Sequence, residues 1–330
     1  MGITNFPHGI SSFGVPIIGA GALFGRKSKT LFIAPASGSD NNSGKSAEKP
    51  LDTLSKAQSL ATANFNDVVY FMSEGNAAAA ASDYQSSALA WAKDGVHLIG
   101  VNSGNHISQR SRIAQLSTAT NVDDLFTVSA NNCLVANISV YHGVDDATSK
   151  GAVHVSGQRN HFFNCHFGGI GHDTMDTADN YSLKLSGSEN LFEQCVIGLD
   201  TIARGTAANY EMLFSGGATR NIFRKCIIVT YAENATHLFL KIAANGIDRW
   251  NLFEDCIFIN MPTGTASGTT MTEAFDITGG GSPDGLILLR NCTLVGATDW
   301  EANVESGKVL IDGAAPTNNT SGIAVAIEAT

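Results

Sequence analysis

Hydrophobic and polar positions recur in one fixed order between residues 160 and 258. Three stretches have the pattern Asn-x-Phe-x-x-Cys-x-apolar, namely Asn190–Ile197, Asn221–Ile228 and Asn251–Phe258, and a fourth copy, Asn160–Phe167, carries His at two outer positions. The cysteines of the four copies, at positions 165, 195, 226 and 256, are separated by 30, 31 and 30 residues. Self-similarity at a fixed period of this length predicts stacked structural repeats.

The spacing inside one copy predicts short β-strands. Asn and Phe lie two residues apart, as do Cys and the following apolar residue, so each pair shares one face of an extended strand. The step of three from Phe to Cys breaks this alternation and predicts a bend between two strands. A further alternating pair precedes each copy, as in Leu183/Leu185 and Leu240/Ile242, and turn-forming residues follow it. Each repeat is therefore expected to form three short strands, and the stacked repeats to form a parallel β-helix.

Stacking is expected to place like residues on like in axial columns. Asn at a turn can form an amide ladder along the axis and also tolerates the left-handed backbone that a corner needs. The predicted columns are Phe162, Phe192, Phe223 and Phe253; Cys165, Cys195, Cys226 and Cys256; and Asn160, Asn190, Asn221 and Asn251.

This pattern, over about residues 90–315, resembles the right-handed, pectate-lyase-like β-helix superfamily, in which Asn ladders and stacked internal side chains are usual. The resemblance implies an all-β fold, a single-stranded right-handed parallel β-helix. Because that superfamily includes enzymes, adhesins and inert virion parts, the fold alone assigns no activity.

The chain is predicted to have four segments. These are an extended N-terminal arm (1–29), a leading strand with a loop and a short capping helix (30–67), the parallel β-helix (68–315) and a C-terminal tail or cap (316–330). The helix is predicted from about Asp52 to Ala63, with one apolar face made of Leu54, Ala57, Leu60 and Ala61. A cap is expected because an open solenoid end exposes edge strands and a hydrophobic cross-section.

The N-terminal arm is rich in Gly, Pro and Ser and shows neither a helical nor a strand period. Its opening, Gly2 to Pro16, resembles the start of small tailed-phage proteins encoded near head genes. The resemblance implies a partner, a major capsid protein, and an apolar arm on a soluble body needs a docking surface; a disordered leader is the alternative. The residues expected to bind the capsid are Ile3, Phe6, Ile10, Phe13, Val15, Ile17, Phe24, Arg26, Lys27 and Lys29. Phage β-helices are commonly parallel trimers, so the resemblance also implies a homotrimer.

Composition and charge narrow the function classes. A formal net charge of −10 argues against nucleic-acid binding by the body, since phosphate recognition needs a basic face. The apolar run Val15–Phe24 lacks the charge order of a signal peptide and is too short to span a bilayer, so no membrane partner is expected. The 6 cysteines show no zinc-type spacing and are interpreted as structural thiols, so no metal or cofactor is predicted.

The best candidate for chemistry is the stretch from Gly171 to Asn180. It holds one histidine and three carboxylates, His172, Asp173, Asp176 and Asp179, which could bind Ca²⁺ or provide acid/base groups. A solvated polar loop is the commoner explanation of such a cluster. Four other histidines alternate with apolar residues and are expected to face outward from the wall rather than to act as ligands: His97, His154, His161 and His166.

Two main hypotheses about function follow. In the first, the chain is a non-enzymatic virion protein, a capsid decoration (cement) protein or head spike, made in the bacterial cytoplasm and located on the capsid surface. In the second, it is a tailspike-like polysaccharide depolymerase or lyase that binds a host-surface glycan along the β-helix wall; a bacterial adhesin is a third possibility. The low aromatic content, 8%, and the lack of a clear carboxylate pair favour the first hypothesis, so the sequence predicts a protein that is not an enzyme.

Overall fold

The structure is a computed structural model of the chain. It describes residues 11–12, 15–16, 27–73, 82–101, 107, 111–206, 208–261, 268–277, 285–301, 308–312 and 325–327. These residues form short β-strands and the α-helix α1, which spans Leu54–Leu60.

The strands follow one another with short connections. The first ten are β1 (Ser11–Ser12), β2 (Val15–Pro16), β3 (Thr30–Ile33), β4 (Val68–Met72), β5 (Ser82–Gln85), β6 (Leu89–Trp91), β7 (His97–Val101), β8 (Arg112–Gln115), β9 (Asp124–Val128) and β10 (Leu134–Ala136). The next ten are β11 (Ser139–Tyr141), β12 (Gly151–Val155), β13 (His161–Phe163), β14 (His166–Gly168), β15 (Tyr181–Leu185), β16 (Leu191–Glu193), β17 (Val196–Arg204), β18 (Tyr210–Phe214), β19 (Ile222–Arg224) and β20 (Ile227–Ala232). The last ten are β21 (Leu238–Ile242), β22 (Trp250–Glu254), β23 (Ile257–Asn260), β24 (Met271–Glu273), β25 (Phe275–Asp276), β26 (Leu286–Arg290), β27 (Thr293–Val295), β28 (Ala297–Asp299), β29 (Val309–Asp312) and β30 (Val325–Ile327).

Three long sheets form the walls of a solenoid. Sheet I has the order β3-β4-β7-β10-β13-β16-β19-β22-β26-β29-β30, sheet II the order β27-β23-β20-β17-β14-β11-β8-β5, and sheet III the order β25-β21-β18-β15-β12-β9-β6. Strands within these walls pair in parallel, except β30, which is antiparallel to β29. The central coils, from β4 to β25, contribute one strand to each wall, which confirms the predicted all-β parallel β-helix.

The phenylalanines of the repeat stack inside the solenoid. Phe192 pairs with Phe162 on one side and with Phe223 on the other, and Phe223 pairs with Phe253. Their ring centroids lie 4.8, 4.5 and 4.6 Å apart along the column. This distance is close to the spacing of neighbouring strands, so each buried ring covers the face of the next.

The asparagines and cysteines form columns of their own. The side-chain oxygens of Asn190, Asn221 and Asn251 each accept a hydrogen bond from the backbone N–H of the asparagine one coil earlier, at 2.9, 2.9 and 3.1 Å. The sulfurs of Cys195, Cys226 and Cys256 each lie 3.4 Å from the carbonyl oxygen of a phenylalanine on the preceding coil. Burial raises the pKa of the Cys195 and Cys226 thiols, which therefore stay protonated and act as small core side chains.

The left-handed corners are not at the asparagine ladder, where the sequence placed them. The residue just before three of the four ladder asparagines has positive φ instead, at Arg159 (56°), Glu189 (59°) and Arg220 (54°). A second set lies between the Phe strand and the Cys strand, at Asn164, Gln194, Lys225 and Asp255, with φ between 49° and 55°. These positions produce the predicted bend, and stacking of the coils holds non-glycine residues in a conformation that they rarely adopt.

The helix α1 caps the N-terminal end but is shorter than predicted. Its N-cap is Thr53, whose side chain accepts a hydrogen bond from the Lys56 N–H at 3.1 Å. Leu54, Ala57 and Ala61 are buried as predicted, whereas Leu60 is 37% exposed. Leu60 is the last residue of α1 and the buried Ala61 is its C-cap, so the predicted apolar face is buried at three of its four positions.

Candidate functional site

The predicted cluster at residues 171–180 does not form one site. His172 caps a short 3₁₀ turn, Asp173–Met175, and its Nδ1 accepts a hydrogen bond from the Thr174 N–H at 3.2 Å. Asp176 accepts hydrogen bonds on one oxygen from the N–H groups of Gly205 and Thr206, at 2.8 and 2.9 Å, and on the other from the Asn209 amide.

The other two carboxylates of this cluster, Asp173 and Asp179, have no common partner among the groups that they contact. Asp179 accepts a hydrogen bond from the Tyr210 hydroxyl at 2.8 Å, and Asp173 is exposed. Asp176 and Asp179 therefore hold the loop of the next coil in place.

A buried ionic network lies beneath these loops, and no sequence pattern indicated it. Arg204 and Glu211 are both fully buried, with Nε and Oε1 3.4 Å apart. The Arg204 guanidinium donates to the carbonyl oxygens of Ile170 and Ile202, each at 3.0 Å, and Glu211 accepts from the Ser182 hydroxyl at 2.6 Å. Burial opposes the Glu211 charge, but the Arg204 charge prevails and lowers the pKa of this carboxyl. Because these charges are paired and enclosed, the network organises the base of the loops.

A second polar group lies on the outer face of sheet III, and we call it the wall cluster: Asp124, His154, Tyr181, Lys184 and Ser186. His154 pairs in register with Lys184 on the next strand, and Asp124 lies at the start of the preceding strand. The His154 ring contacts Asp124 Oδ2 through Nδ1 at 3.3 Å and the Ser186 hydroxyl through Nε2 at 3.0 Å. The side chains of His154 and Asp124 are 22% and 15% exposed, so the cluster is reachable from solvent.

A glycine allows this cluster to form. Gly151 stands between Asp124 and Tyr181 in the register of sheet III. The Tyr181 ring lies over Gly151, where a Cβ atom would come within 2.0 Å of the ring, and the tyrosine hydroxyl reaches Asp124 Oδ1 at 2.7 Å. Any side chain at position 151 would displace this ring. The absence of a side chain at Gly151 therefore allows Tyr181 to reach across one coil and bond Asp124.

The environment keeps Asp124 ionised. Burial favours the neutral acid, but hydrogen bonds from His154 and Tyr181 and the charges of His154 and Lys184 outweigh it, so the pKa of Asp124 is lowered. Burial and the neighbouring Asp124 charge raise the pKa of Tyr181, which therefore acts as a neutral hydrogen-bond donor. The cluster thus presents a carboxylate, an imidazole and a hydroxyl in a row, with a lysine beside them.

A groove opens beside the cluster at the corner between sheets III and I. It has a volume of about 580 Å³ and is lined by Ser188, Gly216, Gly217, Thr219, Ala244, Asn245, Ile247 and Asp248. A Cβ atom on Gly216 would lie 3.2 Å from the Ser186 Cβ, so the groove and the wall cluster adjoin at this glycine.

Sequence reasoning found His154 but not its partners. His154 and His161 are partly exposed on the wall as predicted, whereas His97 and His166 are buried, at 5% and 1% exposure. His154 lies 30 residues after Asp124 and 32 residues before Ser186, which is one coil in each direction. The repeat period therefore indicates that these three different residues lie close together, in the same way as it indicates the columns of identical residues.

The predicted capsid-binding arm falls largely outside the described residues. This holds for Ile3, Phe6, Ile10, Phe13, Ile17, Phe24 and Arg26. Val15 belongs to β2, which pairs with β1. The Lys29 ammonium donates to the Leu60 carbonyl at 2.9 Å and to the Thr62 hydroxyl at 2.8 Å, and the Lys27 ammonium lies 6.0 Å from the centre of the Phe65 ring. These two lysines contact the chain's own cap, and attachment to a capsid stays a prediction.

The described residues contain neither a metal site nor a membrane-spanning helix. No group of three or more His, Cys, Asp or Glu side chains in this part of the chain is placed to hold a metal ion. No helix among the same residues has the length and apolar character needed to cross a membrane.

Comparison with solved structures identifies proteins of similar fold. A rhamnogalacturonan lyase is similar over 81% of this chain and 68% of its own, with a TM-score of 0.56 and 17% identity. The pectin methylesterase PemA from Erwinia chrysanthemi and a pectin methylesterase mutant in complex with a hexasaccharide are similar with TM-scores of 0.52 and 0.53, each at 15% identity over 83% of this chain and 81% of theirs. A protein of Geobacillus virus E2 is similar over 86% of this chain and 60% of its own, at a TM-score of 0.44 and 14% identity. No protein-family model matches the sequence, and no curated protein matches it.

These comparisons support the pectate-lyase-like β-helix fold and correct one prediction. The sequence predicted a protein that is not an enzyme. This prediction is wrong, because the rhamnogalacturonan lyase and the pectin methylesterase that share this fold are enzymes. TM-scores of 0.52–0.56 at 15–17% identity show a shared fold, and a fold that enzymes also adopt gives no ground for excluding catalysis.

Proposed function

We propose that the protein is a carbohydrate-active enzyme that binds a polysaccharide along the outer wall of sheet III and acts on it at the wall cluster. The observation that carries this proposal is the partly exposed Asp124–His154–Ser186 row beside an open groove. Clustered titratable side chains next to a groove are the usual mark of an active site. The similarity of the fold to a rhamnogalacturonan lyase and a pectin methylesterase supports a saccharide as the substrate.

The wall offers a repeating surface to a repeating polymer. One row of outward positions runs along sheet III, and it consists of Thr127, His154, Lys184, Leu213 and Lys241. Successive members are one strand apart, about 4.8 Å, so a polymer lying parallel to the axis meets a new side chain on every coil. This row extends on both sides of the wall cluster and can hold the chain in place during catalysis.

The charge of this row indicates an acidic polysaccharide. The chain carries a net charge of −10, yet Lys184 and Lys241 both project from the same face of sheet III. Lys184 lies with its ammonium 5.9 Å from the centre of the Tyr181 ring, next to the wall cluster, whereas Lys241 is paired with Asp276. Lys184 is therefore the cation positioned to attract a carboxylate on the polymer near the reacting groups.

The test combines binding and product detection. Wild-type protein is incubated with acidic polysaccharides such as polygalacturonate and bacterial capsular extracts, and bound polymer, new reducing ends, unsaturated ends and released ester groups are measured. Lys184→Glu should weaken binding by about tenfold or more, because it replaces an attractive charge by a repulsive one. Lys45→Glu, at an exposed position in the N-terminal loop, is the matched control and should bind normally. Equal loss in both variants, or no binding to any acidic polymer, would refute the proposal.

A further inference from the structure

Three side chains of the wall cluster, Ser186, His154 and Asp124, form a connected row that ends in a hydroxyl group. The Ser186 Oγ lies 3.0 Å from His154 Nε2, and His154 Nδ1 lies 3.3 Å from Asp124 Oδ2. The other oxygen of Asp124 is fixed by the Tyr181 hydroxyl at 2.7 Å. A hydroxyl hydrogen-bonded to an imidazole, which is in turn oriented by a carboxylate, is the arrangement that activates serine for attack on a carbonyl carbon.

The repeat supplies a comparison for Ser186 on the neighbouring coils. Val155, Leu185 and Phe214 occupy equivalent positions on successive strands, so Ser156, Ser186 and Ser215, which follow them, occupy the same turn on three coils. His154 bonds the serine of the middle coil because it points outward on the preceding coil, with Ser186 two positions further along the register. Thr127 and Lys184 stand at the position of His154 on the coils before and after it, so the imidazole is specific to one coil.

We propose that Ser186 is the nucleophile of a serine hydrolase that cleaves a carboxylic ester carried by the polysaccharide, with His154 as the general base and Asp124 as a positioning residue. The inference rests on the proposed function for its substrate class and goes beyond it in naming the bond and the reacting atoms. An O-acyl group on a sugar hydroxyl and an alkyl ester of a uronic acid share this chemistry. The two sources differ in the acid and the alcohol that they release.

The reaction balances without a cofactor. The Ser186 oxygen attacks the ester carbonyl carbon while its proton passes to His154 Nε2, and the alcohol leaves with that proton as its C–O bond breaks. Water then attacks the acyl-Ser186 ester and gives a proton to His154. That proton returns to the serine oxygen as the carboxylic acid departs. Asp124 stays ionised throughout and stabilises the imidazolium that forms in each half of the cycle.

A glycine lies next to Ser186. Gly216 and Gly217, with φ of 63° and 79°, line the groove. A Cβ atom at Gly216 would lie 3.2 Å from the Ser186 Cβ, so glycine at this position avoids a close contact with the serine.

The test uses the whole protein with p-nitrophenyl acetate and a fluorophosphonate probe. Wild-type protein should hydrolyse the ester and take up one probe molecule on Ser186, identified by mass spectrometry of the labelled peptide. Ser186→Ala should lower the rate by about 10³-fold or more and abolish labelling, and His154→Gln should have a similar effect, because triad members act as a unit. Ser156→Ala, at the same turn one coil earlier, should retain both activities. Absence of labelling at Ser186 in folded wild-type protein, or equal rates in Ser186→Ala and Ser156→Ala, would overturn the inference.

Polysaccharide measurements separate this inference from the proposed function. Ser186→Ala should still bind the acidic polymer, since Lys184 is intact, but should release neither acid nor alcohol from it. Acetate release by wild-type protein identifies an O-acyl ester, and methanol release identifies a methyl uronate. Polymer binding without ester release or labelling would overturn the serine hydrolase and leave the proposed function standing. Ester hydrolysis by Ser186 without polymer binding would overturn the polysaccharide assignment instead.

Discussion

At the scale of single residues, the core is held by side chains that pack on their own copies. Phe223 is fully buried, and its ring lies 4.5 Å from the Phe192 ring and 4.6 Å from the Phe253 ring. Both faces of the ring are therefore covered by neighbours in the same column. The residue before it, Ile222, points to the outer face of the same strand and is partly exposed. The stabilisation thus depends strongly on which face of the strand a residue occupies.

Phe223→Ala should lower the free energy of unfolding by about 3–5 kcal/mol, because it leaves a cavity between two aromatic rings that cannot move together. Ile222→Ala on the same strand should cost less, about 1 kcal/mol, since its side chain lies on the outer face and keeps part of its surface in water. Urea denaturation followed by circular dichroism would give both values. Equal losses for the two variants would show that the assignment of inner and outer faces is wrong.

The sequence predicted the buried residues better than the corners. Identical residues at a constant period reveal an inward column, because a column tolerates few side chains. The corner positions hold Glu189, Gln194, Arg220 and Lys225, all with positive φ; their side chains are polar but differ in charge, and none is a residue that favours this conformation. Their conformation is imposed by the stacked coils rather than by local preference, so propensity could not reveal it.

At the scale of secondary-structure elements, the cap is held by a buried carboxylate. The Leu54 N–H at the start of α1 donates to Asp83 Oδ2 in β5 at 2.8 Å. Asp83 is only 4% exposed, and this burial raises its pKa to about 6. A carboxylate with a raised pKa in the folded state favours folding most when it is protonated. The helix is therefore joined to the second wall by a group whose ionisation works against the fold.

Asp83→Asn should make stability less sensitive to pH. In the wild type, the contribution of Asp83 is fully present below its unfolded pKa of 3.8 and is lost as the pH rises through about 6. The amide oxygen of an asparagine at this position would still accept the Leu54 N–H without carrying a charge, so the variant should gain roughly 1–3 kcal/mol over the wild type between pH 5 and pH 8. Thermal or urea unfolding at several pH values would measure this difference, and a difference that does not change with pH would contradict it.

The helix and the long loops illustrate which elements a sequence can reveal. The presence of a cap followed from the need to cover an open end, and the structure places α1 there. The segment after Ile197 carries no copy of the repeated motif, and in the structure β17 continues through it to Arg204. Arg204 is buried by its pairing with Glu211, which lies on the next strand of the chain. An ion pair of this kind has no periodic signal, so the sequence pattern does not indicate that Arg204 is buried.

At the scale of the whole molecule, the fold could be predicted and the site could not. The same coil is repeated along the chain, so the strand pattern found in one copy predicts the strands of the others. The wall cluster draws on three coils. Asp124 and His154 stand where the neighbouring coils carry other residues, whereas Ser186 recurs as Ser156 and Ser215. Function here depends on departures from the repeat, whereas the fold depends on the repeat itself.

The arm permits a test of how the body depends on its N-terminus. Deleting residues 2–26 should leave the melting temperature unchanged within about 2 °C, because Lys29, which binds the Leu60 carbonyl and the Thr62 hydroxyl, is retained. Extending the deletion through Lys29 removes these contacts and should lower it. Calorimetry of the two truncated proteins would separate the outcomes, and equal melting temperatures would show that the Lys29 contacts contribute nothing. Loss of capsid binding in the shorter deletion would test the predicted role of the arm.

The matching columns of Phe, Cys and Asn make the length of this molecule adjustable. Asn190 and Asn221 occupy the same place on neighbouring coils. A duplicate of residues 190–220 inserted after Arg220 would therefore meet the same Phe, Cys and Asn columns on both of its faces. The rod would grow by one strand spacing, about 4.8 Å, and both ends would keep their own covers. Gene duplication of one coil is thus a route by which such a protein can change the span of surface that it offers to a long polymer.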